Sequence, residues 1–81
     1  MNDKHQNTEA LSDVLAEMQQ QDIKWGADRN LNPFVWGAIL GEEVGEFHQA
    51  LLHDHYGGKA AGTSRAEAVQ IAAVALQIIE Y

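Results

Sequence analysis

The chain has 81 residues, 46% of them hydrophobic, with one proline and no cysteine, so it holds one domain at most, no disulfide and no thiolate metal site. Twelve acidic side chains against five basic ones leave a formal net charge of -7, which repels phosphate backbones and anionic lipid and argues against nucleic-acid and membrane partners. The N-terminal MNDKHQNTEA lacks the apolar stretch of a secretory signal, and the longest apolar run, Ile71 to Leu76, is far too short to cross a bilayer; a soluble cytoplasmic protein is expected.

Residues 1–7 carry no helical pattern and are expected to be flexible. Thr8 can cap a first helix through EALSDVLAEMQQQDIKW, in which Leu11, Val14, Leu15, Met18 and Trp25 fall on one stripe at about 100° per residue. Gly26 offers the C-terminal stop, and ADRNLN is a polar joint. Asn32-Pro33 pairs a capping side chain with a first-turn proline and starts a second helix that runs to about Asp54. YGGKAAGTS is a glycine-rich loop. A third helix, apolar nearly all round, begins near Ser64 and reaches the chain end. No run alternates with a period of two, so the fold class is all-α. Three such helices cannot cover one another fully, and a four-helix-type bundle completed by oligomerisation, as a dimer or tetramer, is expected from this single domain of residues 1–81.

Three carboxylates crowd the middle of the second helix, in ILGEEVGEFHQALLHD. With Glu43 at zero on a helical wheel, Trp36, Leu40, Phe47 and Leu51 lie at roughly +20 to +80° and define the buried stripe. Glu43 sits on its edge beside Ile39 and Ala50; Glu46 lies at about −60° and Glu42 near −100°. On the third helix Ile71, Val74 and Ile78 lie within about 40° of Glu67, and Gln70 is at about −60°, the offset Glu46 has from Glu43. Each helix thus carries a polar pair at i, i+3 on the side that should be buried, and packing the two faces together brings the pairs into convergence. A buried carboxylate costs several kcal/mol unless paired or coordinated. No Lys or Arg lies within one turn of Glu43 or Glu46, so a hard divalent cation, Mg²⁺ or Mn²⁺, is the simplest partner for oxygen ligands. Two blander readings stand beside this one. EExxE is commonly a solvated face, and Ser64-Arg65-Ala66-Glu67 spells a capping box that employs Glu67 structurally.

EExxE, a gap of 20 residues and then ExxQ resembles the EExxE…ExxD signature of the MazG-like all-α nucleoside triphosphate pyrophosphohydrolases. The likeness extends over QQQDIKWG, PFVWGAILGEEVGE and EAVQIAAVALQIIE, which is most of the chain from residue 17 onward. The resemblance implies Mg²⁺-dependent cleavage of a (d)NTP to the monophosphate and pyrophosphate, a nucleotide-pool house-cleaning reaction carried out by helical dimers or tetramers. It makes Glu43, Glu46, Glu67 and Gln70 the metal ligands. Glu42 joins Glu43 as a catalytic carboxylate, either an outer ligand or the base for the attacking water. Lys24, Trp25 and Trp36 are candidates for the nucleotide pocket, and Lys59 and Arg65 for phosphate contacts. For these five the alternatives are core packing for the tryptophans and solvated charge for the cations. Gln70 stands where the family pattern has aspartate; it offers one neutral oxygen, and an oligomeric nucleotide- or partner-binding module without turnover is the competing reading. His53 and His55 flank Asp54 at a helix end, a spacing that suits surface histidines better than a shared metal.

Overall fold

The computed structural model describes residues 8–26 and 31–80, and the expected flexible segment 1–7 and part of the ADRNLN joint lie outside them. Three helices follow one another: α1 (Thr8–Trp25), α2 (Pro33–Tyr56) and α3 (Ser64–Glu80), with no strand among the described residues. None of these helices is long and apolar enough to cross a membrane.

The boundaries follow local chemistry. Gly26, at φ +92°, turns the chain out of α1 while its N–H still donates to the Asp22 carbonyl at 2.8 Å. The Asn32 side chain accepts from Phe34 N at 2.8 Å, and Pro33 follows it, where a missing N–H costs nothing. At the other end of α2 the chain doubles back over its own last turn. Gly57 N donates to the His53 carbonyl at 2.7 Å, Ala60 N to His53 Nδ1 at 2.9 Å and Gly62 N to Asp54 Oδ1 at 2.6 Å. Gly58 passes so close to the His53 ring that a β-carbon there would collide with it. His53 is therefore half-buried under the loop rather than on the surface, and it and Asp54 serve as loop anchors.

α3 is the middle element. Both α1 and α2 pack against it, while the Cα traces of α1 and α2 nowhere come within 8 Å of each other among the described residues. α2 and α3 each bury an alanine completely, Ala50 and Ala73, and side chains that small let the two backbones approach closely. Val14, Trp36 and Val74 complete the buried apolar set. Leu11 and Leu15 of α1 and Leu51 of α2, which the periodicity places on buried stripes, are exposed. The reason is geometric: each outer helix has one neighbour, and one helix covers a strip narrower than the full apolar face. α3 is itself buried on two sides only, leaving Leu76 and Ile79 in the open.

Candidate functional site

The packing of α2 on α3 brings Glu43, Glu46 and Glu67 together: one carboxylate oxygen from each lies within 4.8 Å of the other two. Glu43 and Glu67 are half-buried and Glu46 is exposed. One oxygen of Glu43 and one of Glu67 are buried without a hydrogen-bond partner. Such orphaned acceptors are rare in folded proteins and need a reason.

The electrostatics agree with the geometry. Burial is the largest influence raising the Glu43 carboxyl above its ordinary value, followed by the charges of Glu46, Glu67, Glu17 and Glu42. Glu67 is raised by burial first, then by a side-chain hydrogen bond and charge repulsion from Glu46. Among the described residues, every charge that shifts Glu43 or Glu67 is another carboxylate. The donors present, three carboxylates with two orphaned oxygens and no cation among them, suit a hard divalent ion with oxygen ligands.

Glu67 does not act as the capping box requires. Its N–H donates to the Thr63 carbonyl at 3.0 Å, so Thr63 rather than Ser64 occupies the capping position, and Thr63 Oγ1 ties back to Ala60 O at 2.6 Å. The Glu67 carboxyl is left to face Glu46. Gln70, half-buried, follows one turn along α3.

Beside the cluster lies a cleft of about 540 Å³. It exists because α1 and α2 flank α3 without meeting. Gln21 and Trp25 form one wall, Trp36 and Ile39 the other, and Val74 and Gln77 the floor; Glu42 and Glu43 stand where it meets the carboxylates. Trp36 is buried, whereas Trp25 is largely exposed with the Lys24 ammonium 4.9 Å above its ring. Lys59 and Arg65 do not line the cleft. Lys59 sits in the α2–α3 loop, and Arg65 pairs with Asp13 of α1 at 2.8 Å.

Glu17 and Gln77 stand out among the residues of this site absent from the sequence-based set. Glu17 of α1 is close enough to act on Glu43, and its carboxylate accepts from Gln21 Nε2 at 3.0 Å. Gln77 is buried on the cleft floor. The signals for both were periodic: Val14, Glu17 and Gln21 share one side of α1, and Gln77 stands two turns beyond Gln70. Compared with family models, curated proteins and solved structures, the chain finds no match.

Proposed function

We propose that the protein is a nucleotide pyrophosphohydrolase: it hydrolyses a nucleoside triphosphate to the monophosphate and pyrophosphate, with Mg²⁺, or Mn²⁺ in its place, held by Glu43, Glu46 and Glu67. The observation that carries this reading is the convergence of those three carboxylates, two on α2 and one on α3, at the edge of a cleft walled by two tryptophans. One end of the site is built for cations and the other for a flat apolar ring, which is the polarity of a nucleotide bound through its phosphates. Bound at the carboxylates, a divalent ion supplies charge neutralisation for the phosphates and lowers the pKa of a water molecule.

The chain's own residues do the rest. Glu43, Glu46 and Glu67 would hold the ion, to which Gln70 could add a neutral oxygen, and the ion would supply the positive charge that the phosphates need. Glu42, exposed on the cleft rim, takes the proton from the water that adds across the α–β anhydride. Trp25 and Trp36 hold the base, and Lys24, stacked over the Trp25 ring but outside the cleft lining, is left as a candidate phosphate contact. Lys59 and Arg65 contact phosphate only if the substrate extends past the cleft.

Self-association belongs to this proposal. Phe34 is 87% exposed and Ile79 78%, and Leu51, Leu52 and Tyr56 form a further apolar patch with His48 and His55. A second copy, as a dimer or a tetramer, covers these surfaces and completes a four-helix-type bundle of the MazG-like kind. The cytoplasm, where nucleoside triphosphates are abundant, is the compartment this reading requires.

A second reading is supported by Gln70: a neutral ligand in place of an acid weakens the ion's hold, leaving an oligomeric module that binds nucleotide or a partner without turnover. A pyrophosphate-release assay over canonical and modified nucleotides separates the two. Release that depends on Mg²⁺ and disappears in Glu46→Gln supports the enzyme; nucleotide binding with no release from any substrate supports the module.

A further inference from the structure

Gln77 is 9% exposed, sits on the floor of the cleft, and neither its Nε2 nor its Oε1 has a hydrogen-bond partner. Burying an amide costs free energy when its donor and acceptor go unpaired, and folded chains seldom leave both in that state. The neighbours explain why it finds nothing in the protein. Val74, one turn earlier on α3, and Trp36 and Ile39 across the cleft surround it with apolar surface. Both amide atoms are enclosed in the bare fold, and the open space nearest to them is the cleft of about 540 Å³, within the range of small-molecule sites, which the amide enters by rotation of the side chain.

A primary amide presents one donor and one acceptor side by side in a plane, and it matches a partner with the complementary pair on an adjacent edge. Nucleobases carry such edges, and glutamine pairs with them in two-bond fashion, as with N6 and N7 of adenine. Among the described residues the floor's only directional group is this amide, while the Gln21 amide on the α1 wall is engaged with Glu17. We propose that Gln77 is the specificity-determining residue of a nucleobase pocket, pairing through both amide atoms with the edge of a base lodged between Trp36 and the α1 wall. This rests on the reading of the neighbouring carboxylates as the triphosphate end of the site, but it concerns a different part of the ligand and is tested separately.

The test uses free nucleosides, which carry no phosphate and need no metal, titrated against the intact protein without Mg²⁺. Tryptophan fluorescence and calorimetry report binding. Wild type should bind at least one nucleoside and rank the bases unequally. Gln77→Met keeps the length of the side chain and removes both hydrogen-bonding atoms. It should lower affinity for the preferred nucleoside by about tenfold or more and bring the bases close to parity, because a site built to pair loses discrimination along with its polar group. The Mg²⁺-induced rise in melting temperature should be the same in Gln77→Met as in wild type. If Gln77→Met does not fold, Gln77→Asn serves: it retains the amide but withdraws it by one methylene, and should fold and change the ranking of bases.

The inference is overturned if no nucleoside binds wild type at millimolar concentration, or if the ranking is unaltered in the variant that folds. Its fate is separable from that of the proposed reaction. Nucleoside binding that Gln77→Met abolishes, in a protein that releases no pyrophosphate, keeps the pocket and removes the enzyme. Pyrophosphate release with an unchanged base ranking in the variant keeps the enzyme and removes Gln77 as the reader.

Discussion

Glu46 of α2 and Glu67 of α3 bring carboxylate oxygens within 4.8 Å of each other across the helix interface, with Glu43 completing the group. Without metal, burial and mutual repulsion make Glu43 and Glu67 hold protons more readily than free carboxyls do. With a divalent ion present the cluster has no need of them.

The first prediction concerns pH. Glu43 and Glu67 are both raised above the ordinary value of 4.5, so between that value and their folded values the native state binds more protons than the unfolded chain. Stability then falls as pH rises through this window, and the contribution is fully present only below it. The metal-free protein should lose part of its stability from this source on going from pH 4.5 to neutrality. Urea unfolding of wild type and Glu67→Gln at the two pH values checks it. The variant should gain most over wild type at neutral pH, and an equal difference at both rules out a raised Glu67 carboxyl.

Metal should act in the opposite direction. Mg²⁺ or Mn²⁺ binding only the native state adds about 2.7 kcal/mol at a hundredfold excess over the dissociation constant, and EDTA should reverse the shift. A melting temperature indifferent to both ions up to several millimolar would count decisively against a cation site.

Substitutions at the cluster should change sign with metal. Glu67→Gln removes one desolvated, repelled charge, so the apo protein should be more stable, on the order of 1 kcal/mol, while the Mg²⁺-induced gain and turnover collapse. Gln70→Asp should do the reverse, tightening Mg²⁺ binding and destabilising the apo form. Thermal melts of both variants with and without Mg²⁺ measure this directly, and the same sign under both conditions excludes these residues as joint ligands.

The α2 surface offers a test of self-association. Gly37, Gly41 and Gly45 recur every fourth residue along the exposed side of α2, and a β-carbon at any of them would meet nothing within 4 Å. In an isolated chain, Gly41→Ala should stabilise α2 by about 0.5–1 kcal/mol. If a second copy packs closely on this side, the same substitution weakens the assembly instead. Unfolding followed over a range of protein concentrations, alongside light scattering, distinguishes the outcomes; a compact 8.9 kDa particle at micromolar concentration would rule out the oligomer.

The parts of this molecule legible in sequence are those set by short-range chemistry. Asn32-Pro33 and Gly26 mark helix ends because their effects are confined to one turn, and the misplaced cap, Ser64 for Thr63, is a one-residue error of the kind helix ends invite. The facing positions of Glu43, Glu46 and Glu67 could be read from wheels because two helices joined by a short loop have little choice but to pack antiparallel. What the wheels do not carry is the position of α1. Leu11 and Leu15 look buried until it is known that, among the described residues, α3 is the only helix whose backbone α1 approaches, and Glu17 looks like any solvated acid until α1 is laid beside the cluster. Gln77 was hidden by its type, since a glutamine near a chain end is ordinarily a surface residue.

The arrangement in which the backbone of α1 lies against α3 alone also governs how the molecule comes apart. The α2–α3 pair, closed by the bonds of His53 and Asp54, can persist when α1 leaves, so α1 is a separate opening unit whose release costs less than global unfolding. The exposed Asp13–Arg65 pair contributes at most about 1 kcal/mol to holding it. Amide protons of α1 should therefore exchange through this partial opening while those buried between α2 and α3 wait for the whole chain. A ligand in the cleft touches both outer helices at once and supplies the cross-brace that the bare fold lacks. Its signature is slowed exchange over the whole of α1, including the N-terminal turns remote from the Gln21 and Trp25 contacts.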